Sequence, residues 1–233
     1  MKKTLLLTAL CAATLPAHAV DGEILITQAK ALAGNVTPGD TPGFPVTLSL
    51  PGKYKLAGNL TIADVDTTGV VITNPRVTLD LNGFAIQGPV TTSGTSGATL
   101  ACGNTSSHWS LGAGIHVILP SDIPPAVHIS NGIIAGMGGF GVHSTNGGTS
   151  ASLTYTLQDM RVAGNGRGGI FYGVEVRDSV SEFNCGHGIY FVTAVRNSTS
   201  RNNTGWGIHS SSVLHPRTYG NGAGEMVTTS PIE

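Results

Sequence analysis

Residues 183–191, FNCGHGIYF, bring Cys185, His187 and Tyr190 close together between glycines. Cysteine and histidine are common metal ligands, and histidine and tyrosine can act as general acids or bases. The same stretch could equally be a tight turn that carries a histidine. Which interpretation holds depends on the structural elements that position these residues.

The stretch is one copy of an internal repeat. Asn165, Asn184, Asn203 and Asn221 each open a glycine-rich turn, and their numbers are 19, 19 and 18 apart. Met137 takes the asparagine position one unit earlier. An aliphatic residue follows each asparagine position by five residues, and we call these residues the aliphatic column: Val142, Ile170, Ile189 and Ile208. A mostly polar residue precedes each asparagine position by six residues, and we call these residues the polar column: Asn131, Asp159, Asp178, Asn197 and His215. A unit this short has no room for a helix, so it predicts short strands and turns.

Three short strands and three turns in about 19 residues make one coil of a parallel β-helix, in which like residues stack at ~4.8 Å. We therefore expect an all-β, single-stranded right-handed parallel β-helix of about six coils, over residues 68–233, behind an N-terminal cap at 20–67. Asn165, Asn184, Asn203 and Asn221 are predicted to form a structural ladder that stabilises the turns.

These units resemble the pectate-lyase-like superfamily of right-handed parallel β-helix proteins over residues 68–224. The start of the mature chain is similar to an exported bacterial subgroup of such proteins without an assigned activity. The resemblance implies the fold more strongly than any activity. In that superfamily the strand face after the glycine turn commonly lines a polysaccharide groove.

The residue after each aliphatic position should point outward, because side chains alternate along a strand. These neighbours are His116, His143, Phe171, Tyr190 and His209, and the turn before them adds Phe140, His187 and Trp206. We predict that His116, His143, Phe171, Tyr190 and His209, with His187 and Trp206, form an exposed aromatic stripe that binds the apolar faces of sugar rings. The alternative is cross-strand stacking without a ligand, worth ~0.5 kcal/mol per pair.

No metal or cofactor is predicted, because only His116 and His143 lie on neighbouring coils and no carboxylate joins their column. Gly186-His187-Gly188 resembles a motif of the polygalacturonases, but the aspartates that inverting hydrolysis requires are missing upstream. A lyase would need a cation and a base. Asp159 and Asp178 share a column and could bind a cation, but this column lies opposite the stripe. Glu182 and Arg201 are interpreted as a surface ion pair. The catalytic residues of either enzyme class therefore stay unknown.

Composition and the N-terminus predict an exported protein. Lys2 and Lys3, an apolar run to Leu15 and Ala17-His18-Ala19 predict a signal peptide over residues 1–19, cleaved near Ala19, and a periplasmic or secreted product. Removing the two lysines leaves 10 Lys+Arg against 13 Asp+Glu, a net charge of −3. We expect neither nucleic acid binding nor a membrane span. Cys102 and Cys185 remain in the mature chain, and their pairing is left open.

Three functions follow as expectations. The first is polysaccharide or cell-surface glycan binding along the stripe, assisted by insertions at 88–112, 119–126 and 144–152. The second is a polysaccharide lyase or glycoside hydrolase. The third is a structural or surface-interaction solenoid.

Overall fold

The computed structural model describes residues 22–103, 105–119, 126–145, 155–172 and 174–228. The expected signal peptide at 1–19 lies outside them. Across the described parts of the chain, no helix is long and apolar enough to cross a membrane.

Short strands account for nearly all of the regular structure. The first elements are β1 (Glu23–Ile26), α1 (Gln28–Ala33), β2 (Val46–Leu48), β3 (Gly52–Leu56), β4 (Leu60–Thr61), β5 (Val70–Ile72), β6 (Val77–Asp80) and β7 (Ala85–Gln87). The insertion at 88–112 contributes β8 (Thr91–Ser93) and β9 (Ala101–Gly103). The remaining strands are β10 (Ile115–Val117), β11 (His128–Ala135), β12 (Phe140–Ser144), β13 (Tyr155–Ala163), β14 (Gly168–Phe171), β15 (Val174–Arg177), β16 (Val180–Glu182), β17 (His187–Arg196), β18 (Thr199–Arg201), β19 (Trp206–Leu214), β20 (Arg217–Tyr219) and β21 (Gly224–Thr228).

All strands except β8 and β9 pair in parallel and form three stacks. The first stack runs β1, β3, β6, β11, β13, β15, β17, β19. The second runs β4, β7, β11, β13, β16, β18, β20. The third runs β2, β5, β10, β12, β14, β17, β19, β21. The long strands turn a corner and belong to two stacks, so the chain winds as a parallel β-helix. The expected all-β parallel β-helix is confirmed.

The polar column forms the corner between the first and second stacks. Its residues all adopt a left-handed conformation, with φ between +47° and +60°: Asn131, Asp159, Asp178, Asn197 and His215. Asparagine and aspartate tolerate this conformation better than other residues with a side chain, because their short polar group can bond to nearby backbone. The column therefore marks the positions at which the chain turns.

The aliphatic column forms the inner face of the third stack. Val70, Ile115, Val142, Ile170, Ile189 and Ile208 are all buried and pair in consecutive register. Their burial removes apolar surface from water at about 25 cal/mol per Å². Each coil supplies one member, so no coil could bury its own apolar face alone.

The asparagines stand in a second inner column, at the corner between the second and third stacks. Asn165, Asn184 and Asn203 are fully buried. The Oδ1 of Asn184 accepts from the backbone N–H and the Nδ2 of Asn165, at 3.1 and 2.9 Å. The Oδ1 of Asn203 accepts from the same two groups of Asn184 at 3.0 and 2.8 Å. The Oδ1 of Asn221 accepts from those of Asn203 at 3.1 and 2.9 Å. Every buried amide in the column is thus paired with the next coil.

The ladder ends on a carboxylate. Asn221 Nδ2 donates to Glu225 Oε2 at 2.6 Å, and the Asn221 backbone N–H donates to Glu225 Oε1 at 3.4 Å. Glu225 thereby supplies the oxygen atoms that a further asparagine would otherwise provide. At the other end, Asn165 Oδ1 accepts from the N–H of Met137 at 3.0 Å, so Met137 can occupy the asparagine position of the first turn.

The N-terminal segment joins the stacks, and its helix packs on the core. β1, β2, β3 and β4 pair with later strands in the register of the repeats. Ala31 of α1 is buried with Ile26 and Val36, and its carbonyl accepts from the N–H of Gly43 at 3.0 Å. Thr27 is the N-cap residue of the helix, and its hydroxyl oxygen accepts from the N–H of Lys30.

The glycine before each inward isoleucine is required by packing. A Cβ on Gly188 would overlap Ser200 Oγ and lie 2.6 Å from Asn203 Nδ2. Ser200 and Asn203 are both buried and hydrogen-bonded, and the Ser200 hydroxyl donates to Gly207 O at 2.6 Å. Gly169 stands in the same relation to Ser181 and Asn184.

We therefore expect Gly188→Ala to lower the free energy of unfolding by about 1–3 kcal/mol, as overpacking of a filled core does. Gly58→Ala is the matched control, because nothing lies within 4 Å of a Cβ at that position. Urea unfolding of both variants measures the difference. Equal stability of the two would show that the space beside the ladder is not filled as described.

Candidate functional site

The predicted stripe is continuous along the third stack. His116 pairs with His143, His143 with Phe171, Phe171 with Tyr190, and Tyr190 with His209. The ring centroids of these pairs are 4.8, 5.7, 5.9 and 4.8 Å apart. The register of the β-helix therefore places all five rings in one row on the outer face of the stack.

The row is not exposed along its whole length. His116, His143 and Phe171 are only 6%, 3% and 6% accessible, whereas Tyr190 and His209 are half-buried. Phe140 stacks on Phe171 at 4.6 Å and lies 5.2 Å from His143. The expectation of an exposed row is thus corrected for its first three members, and Phe140 packs against two of them, His143 and Phe171.

The insertion at 88–112, which we call the strap, packs against the row at Phe171. Its strands β8 and β9 form an antiparallel hairpin. The N–H of Gly97 near the hairpin tip donates to Gly220 O at 2.8 Å, at the far end of the stack. A disulfide joins Cys102 of the strap to Cys185 in the glycine turn, with Cα atoms 6.0 Å apart. The strap thus lies along the corner that holds the asparagine ladder.

Ser106 fixes the strap beside the ring row. Its N–H donates to Gly138 O at 2.9 Å, and its hydroxyl donates to Asp66 Oδ1 at 2.5 Å. The same hydroxyl oxygen accepts from the N–H of His108 at 3.1 Å. These bonds hold the turn that carries the next aromatic residue, Trp109.

The indole of Trp109 packs against the row with its ring plane nearly perpendicular to those of its neighbours. Its indole meets Phe140 and Phe171 edge to face, at 5.3 Å and 78° and at 5.8 Å and 85°. The side chain remains 58% exposed. The Arg167 guanidinium lies 5.1 Å from the indole centroid, a cation–π distance, and its Nη2 donates to Ser107 O at 2.8 Å. Within the described residues, no carboxylate forms an ion pair with Arg167, and its buried Nε has no partner.

A bulge in the third stack adds a further ring. The pairing of β17 with β19 shifts between Tyr190 and Val192, so Phe191 is an extra residue with φ +54° and 46% exposure. Its ring lies 4.3 Å from Tyr190 and 4.7 Å from His209. Tyr172 occupies the equivalent place one coil earlier, with φ +75°, 5.6 Å from Phe191. Bulges often redirect a side chain beside a functional site.

Phe191 and Trp109 did not figure in the predicted site. The sequence does contain a signal for the bulge: Asn184 and Asn203 are 19 residues apart, whereas Asn203 and Asn221 are 18 apart. The additional residue in the longer unit is Phe191. Trp109 carries no comparable signal, because the strap has no counterpart in other units.

His187 is held by the fold as well as by its neighbours. Its Nδ1 accepts from the backbone N–H of Trp206 at 2.9 Å, which leaves the proton of the neutral ring on Nε2. The ring stacks on Tyr190 at 3.8 Å and 12°. Burial, and then the charge of nearby His209, lowers the pKa of His187. Trp206 itself packs over Gly224, where a Cβ would overlap the indole.

Strap and stack enclose a cavity of about 560 Å³. We call it the larger cavity; its walls are Thr105, Ser106 and Trp109 of the strap, and Phe140, Gly166, Arg167, Phe171, Cys185, Gly186, His187, Tyr190 and Phe191 of the stack. Of the predicted site residues it unites Phe171, Tyr190 and His187. His116, His143, His209 and Trp206 do not line it.

A second cavity of about 370 Å³ lies on the row of rings as well. Its walls are Trp109, Ser110, His143, Ser144, Thr145, Phe171 and Tyr172. Trp109 and Phe171 border both cavities. We call this one the smaller cavity.

The histidine pair is poorly arranged to chelate a metal ion. The rings of His116 and His143 are nearly parallel, at 16°, so one ion cannot lie in both ring planes, as imidazole coordination requires. Throughout the described ranges, no group of three or more His, Cys, Asp or Glu side chains is placed to hold a metal.

Glu182 is not part of a surface ion pair. It is only 1% accessible and lies between two arginines, with Arg161 Nη2 2.6 Å from Oε1 and Arg201 Nε 2.6 Å from Oε2. The sequence predicted Arg201 as the partner of Glu182, but it did not indicate Arg161, which lies one coil earlier. Breaking this arrangement would leave a buried charge unpaired.

Burial changes the titration of the covered histidines. Desolvation, and then the charge of His116, lowers the pKa of His143 to about 4. Burial also lowers the pKa of His116. The Nδ1 of His143 and the Nε2 of His116 are buried without a hydrogen-bond partner, so a charge on either ring would be poorly compensated.

Stability should therefore fall as the pH drops from 6.5 to about 4. An unfolded chain takes up a proton on His143 near pH 6.5, whereas the folded chain resists this until about pH 4. His143→Phe keeps a ring in the row and removes the titration. We expect the loss of unfolding free energy between pH 7 and pH 4.5 to be smaller in this variant by about 1 kcal/mol or more, given ~1.36 kcal/mol per pKa unit.

Urea unfolding at several pH values measures this difference. His108→Phe is the control, because His108 is an exposed strap residue. A pH dependence in His143→Phe equal to that of the wild type would contradict the burial of a neutral His143.

No protein family, curated protein or solved structure matches the chain. What the molecule does is therefore inferred from the strap, the ring row and the cavities between them.

Proposed function

We propose that this protein is an exported β-solenoid that binds a polysaccharide or cell-surface glycan in the larger cavity and along the adjoining rings. The observation that carries the proposal is the composition of that cavity. Trp109, Phe140, Phe171, Tyr190 and Phe191 contribute aromatic surface, and Arg167 is the one permanently charged side chain among its described walls. Aromatic rings offer flat apolar surfaces for the C–H faces of sugars, and a few polar groups fix their orientation.

Polar groups for sugar hydroxyls stand at the edges of these rings. Thr105 lies on the strap side, and Arg167 and His187 on the stack side. Arg167 is oriented by its bond to Ser107 O and His187 by its bond from Trp206. A binding surface with preset donors loses little conformational entropy when a ligand arrives.

Binding is favoured over hydrolysis or elimination by the placement of the acids. No Asp or Glu is among the described residues that line either cavity. Asp159 and Asp178 lie at the corner between the first and second stacks, whereas the cavities lie along the third. Glycoside hydrolysis in its usual form needs two carboxyl groups beside the scissile bond.

The likeness of Gly186-His187-Gly188 to the polygalacturonase motif has a packing explanation. Gly188 leaves room for Ser200 and Asn203, and a Cβ on Gly186 would overlap Arg167 O. Both glycines are thus needed to stack one turn on the next. We also propose that the chain is a member of the pectate-lyase-like superfamily, and the parallel β-helix and the repeat support this assignment.

Export is supported by two features. One is the predicted signal peptide at residues 1–19, and the other is the disulfide between Cys102 and Cys185. Disulfides persist in the periplasm and outside the cell and are rare in the cytosol. A periplasmic or secreted site is where a glycan ligand would be met.

A glycan array with the mature protein tests the function, and titration calorimetry on any hit measures affinity. We expect Tyr190→Ala and Phe191→Ala each to weaken binding about fivefold, because loss of a stacked ring costs on the order of 1 kcal/mol. Tyr219→Ala is the control, since Tyr219 is an exposed aromatic residue on the second stack.

Two results would overturn the proposal. One is the absence of any glycan ligand on the array. The other is an affinity unaffected by both ring deletions. Turnover of a hit, detected as new reducing ends or as absorbance at about 235 nm from an unsaturated product, would instead support a hydrolase or lyase.

A further inference from the structure

Trp109 divides the ring row into two chemically different parts. Its indole is nearly perpendicular to the rings of Phe140 and Phe171, and Trp109 borders both cavities. The Arg167 guanidinium lies over the ring at 5.1 Å. Arg167 lines the larger cavity and is absent from the walls of the smaller one. Among the described wall residues, Trp109 therefore has a cation beside it in the larger cavity and none in the smaller one.

The smaller cavity offers what a single neutral sugar unit requires. The indole of Trp109 and the ring of Phe171 give apolar surface, and Tyr172 closes one side. The exposed strap residue Ser110 brings a hydroxyl group to the cavity, and Ser144 and Thr145 complete its described walls. None of its described wall residues is Asp, Glu, Lys or Arg, and buried His143 is neutral at ordinary pH. A charged ligand group would find no counter-charge here.

The two cavities are neighbours. Trp109 and Phe171 line both, so a ligand chain leaving the larger cavity along the third stack meets the smaller one next. Each volume falls within the range of small-molecule sites. Strand stacking at ~4.8 Å per coil gives the row a straight direction that an extended chain can follow.

We propose that the smaller cavity is an outer subsite, which binds a neutral sugar unit against the indole of Trp109 while the same glycan chain occupies the larger cavity. This inference rests on the proposed glycan-binding function and adds a minimum ligand length to it. Short oligosaccharides fill the larger cavity alone. Longer ones gain affinity because the second contact is made within an already bound chain.

The test uses oligosaccharides of about two to eight units, prepared from the polysaccharide that gives the strongest array signal. Ser110→Gln fills the smaller cavity from an exposed strap position, so the fold should be retained. We expect it to weaken binding of the longest oligosaccharide about tenfold and that of the shortest less than about twofold. Thr105→Gln is the matched control: Thr105 is an exposed strap residue at the larger cavity and should weaken both.

Fluorescence gives a second readout. The chain has two tryptophans, so Trp206→Phe leaves Trp109 as the only one. Stacking of a sugar unit on the exposed indole should shift its emission to shorter wavelength with long oligosaccharides, and Ser110→Gln should abolish the difference between long and short ones.

The outcomes separate the two proposals. If the wild-type protein binds no oligosaccharide of any length, the glycan-binding function fails and the subsite fails with it. If the wild type binds, but Ser110→Gln changes long and short affinities equally or not at all, the subsite is overturned and the glycan-binding function stands.

Discussion

The buried asparagine ladder is the interaction on which the rest of the structure depends. Each side chain satisfies the backbone N–H and the side-chain amide of the asparagine one coil earlier, in a core that excludes water. A shift of one residue in any coil would leave several buried polar groups unpaired, at about 1–3 kcal/mol each. The ladder therefore fixes register, and register sets which outward side chains become neighbours.

The ring row is a consequence of that register. Ile189 follows Asn184 by five positions and points inward, so Tyr190 must point outward and lie between Phe171 and His209. The row stabilises the sheet whether or not a ligand is present. The cavity exists because the strap lies beside the row. Trp109 of the strap packs on Phe140, and Thr105 and Ser106 of the strap also line the larger cavity.

The repeated features were predictable from the sequence because each is determined within one coil. The asparagine spacing indicated the fold, and the polar column indicated where the chain turns. The strap could not be placed in the same way, since it occurs once and its contacts lie far along the chain; Cys102 and Cys185 are 83 residues apart. The packing of Trp109 on Phe171 was missed for that reason. Phe191 was missed although the unequal unit lengths pointed to an extra residue.

Glu182 shows the limit of comparing one pair of columns. Its partner Arg201 was identified, but a carboxylate with only 1% exposure needs both of its oxygens paired, and Arg161 supplies the second partner. Neighbouring coils on both sides decide whether a polar side chain in a solenoid is surface or core.

The central claim is that the strap and the stack together form the binding site, and the disulfide between Cys102 and Cys185 allows a direct test. Cys102→Ser with Cys185→Ser should keep the β-sheet circular dichroism of the wild type, because the ladder and the aliphatic column do not involve the strap. Glycan affinity should fall about tenfold or more, since one wall of the larger cavity loses its covalent attachment to the stack and is held by hydrogen bonds alone. An unchanged affinity in a folded double variant would contradict the account.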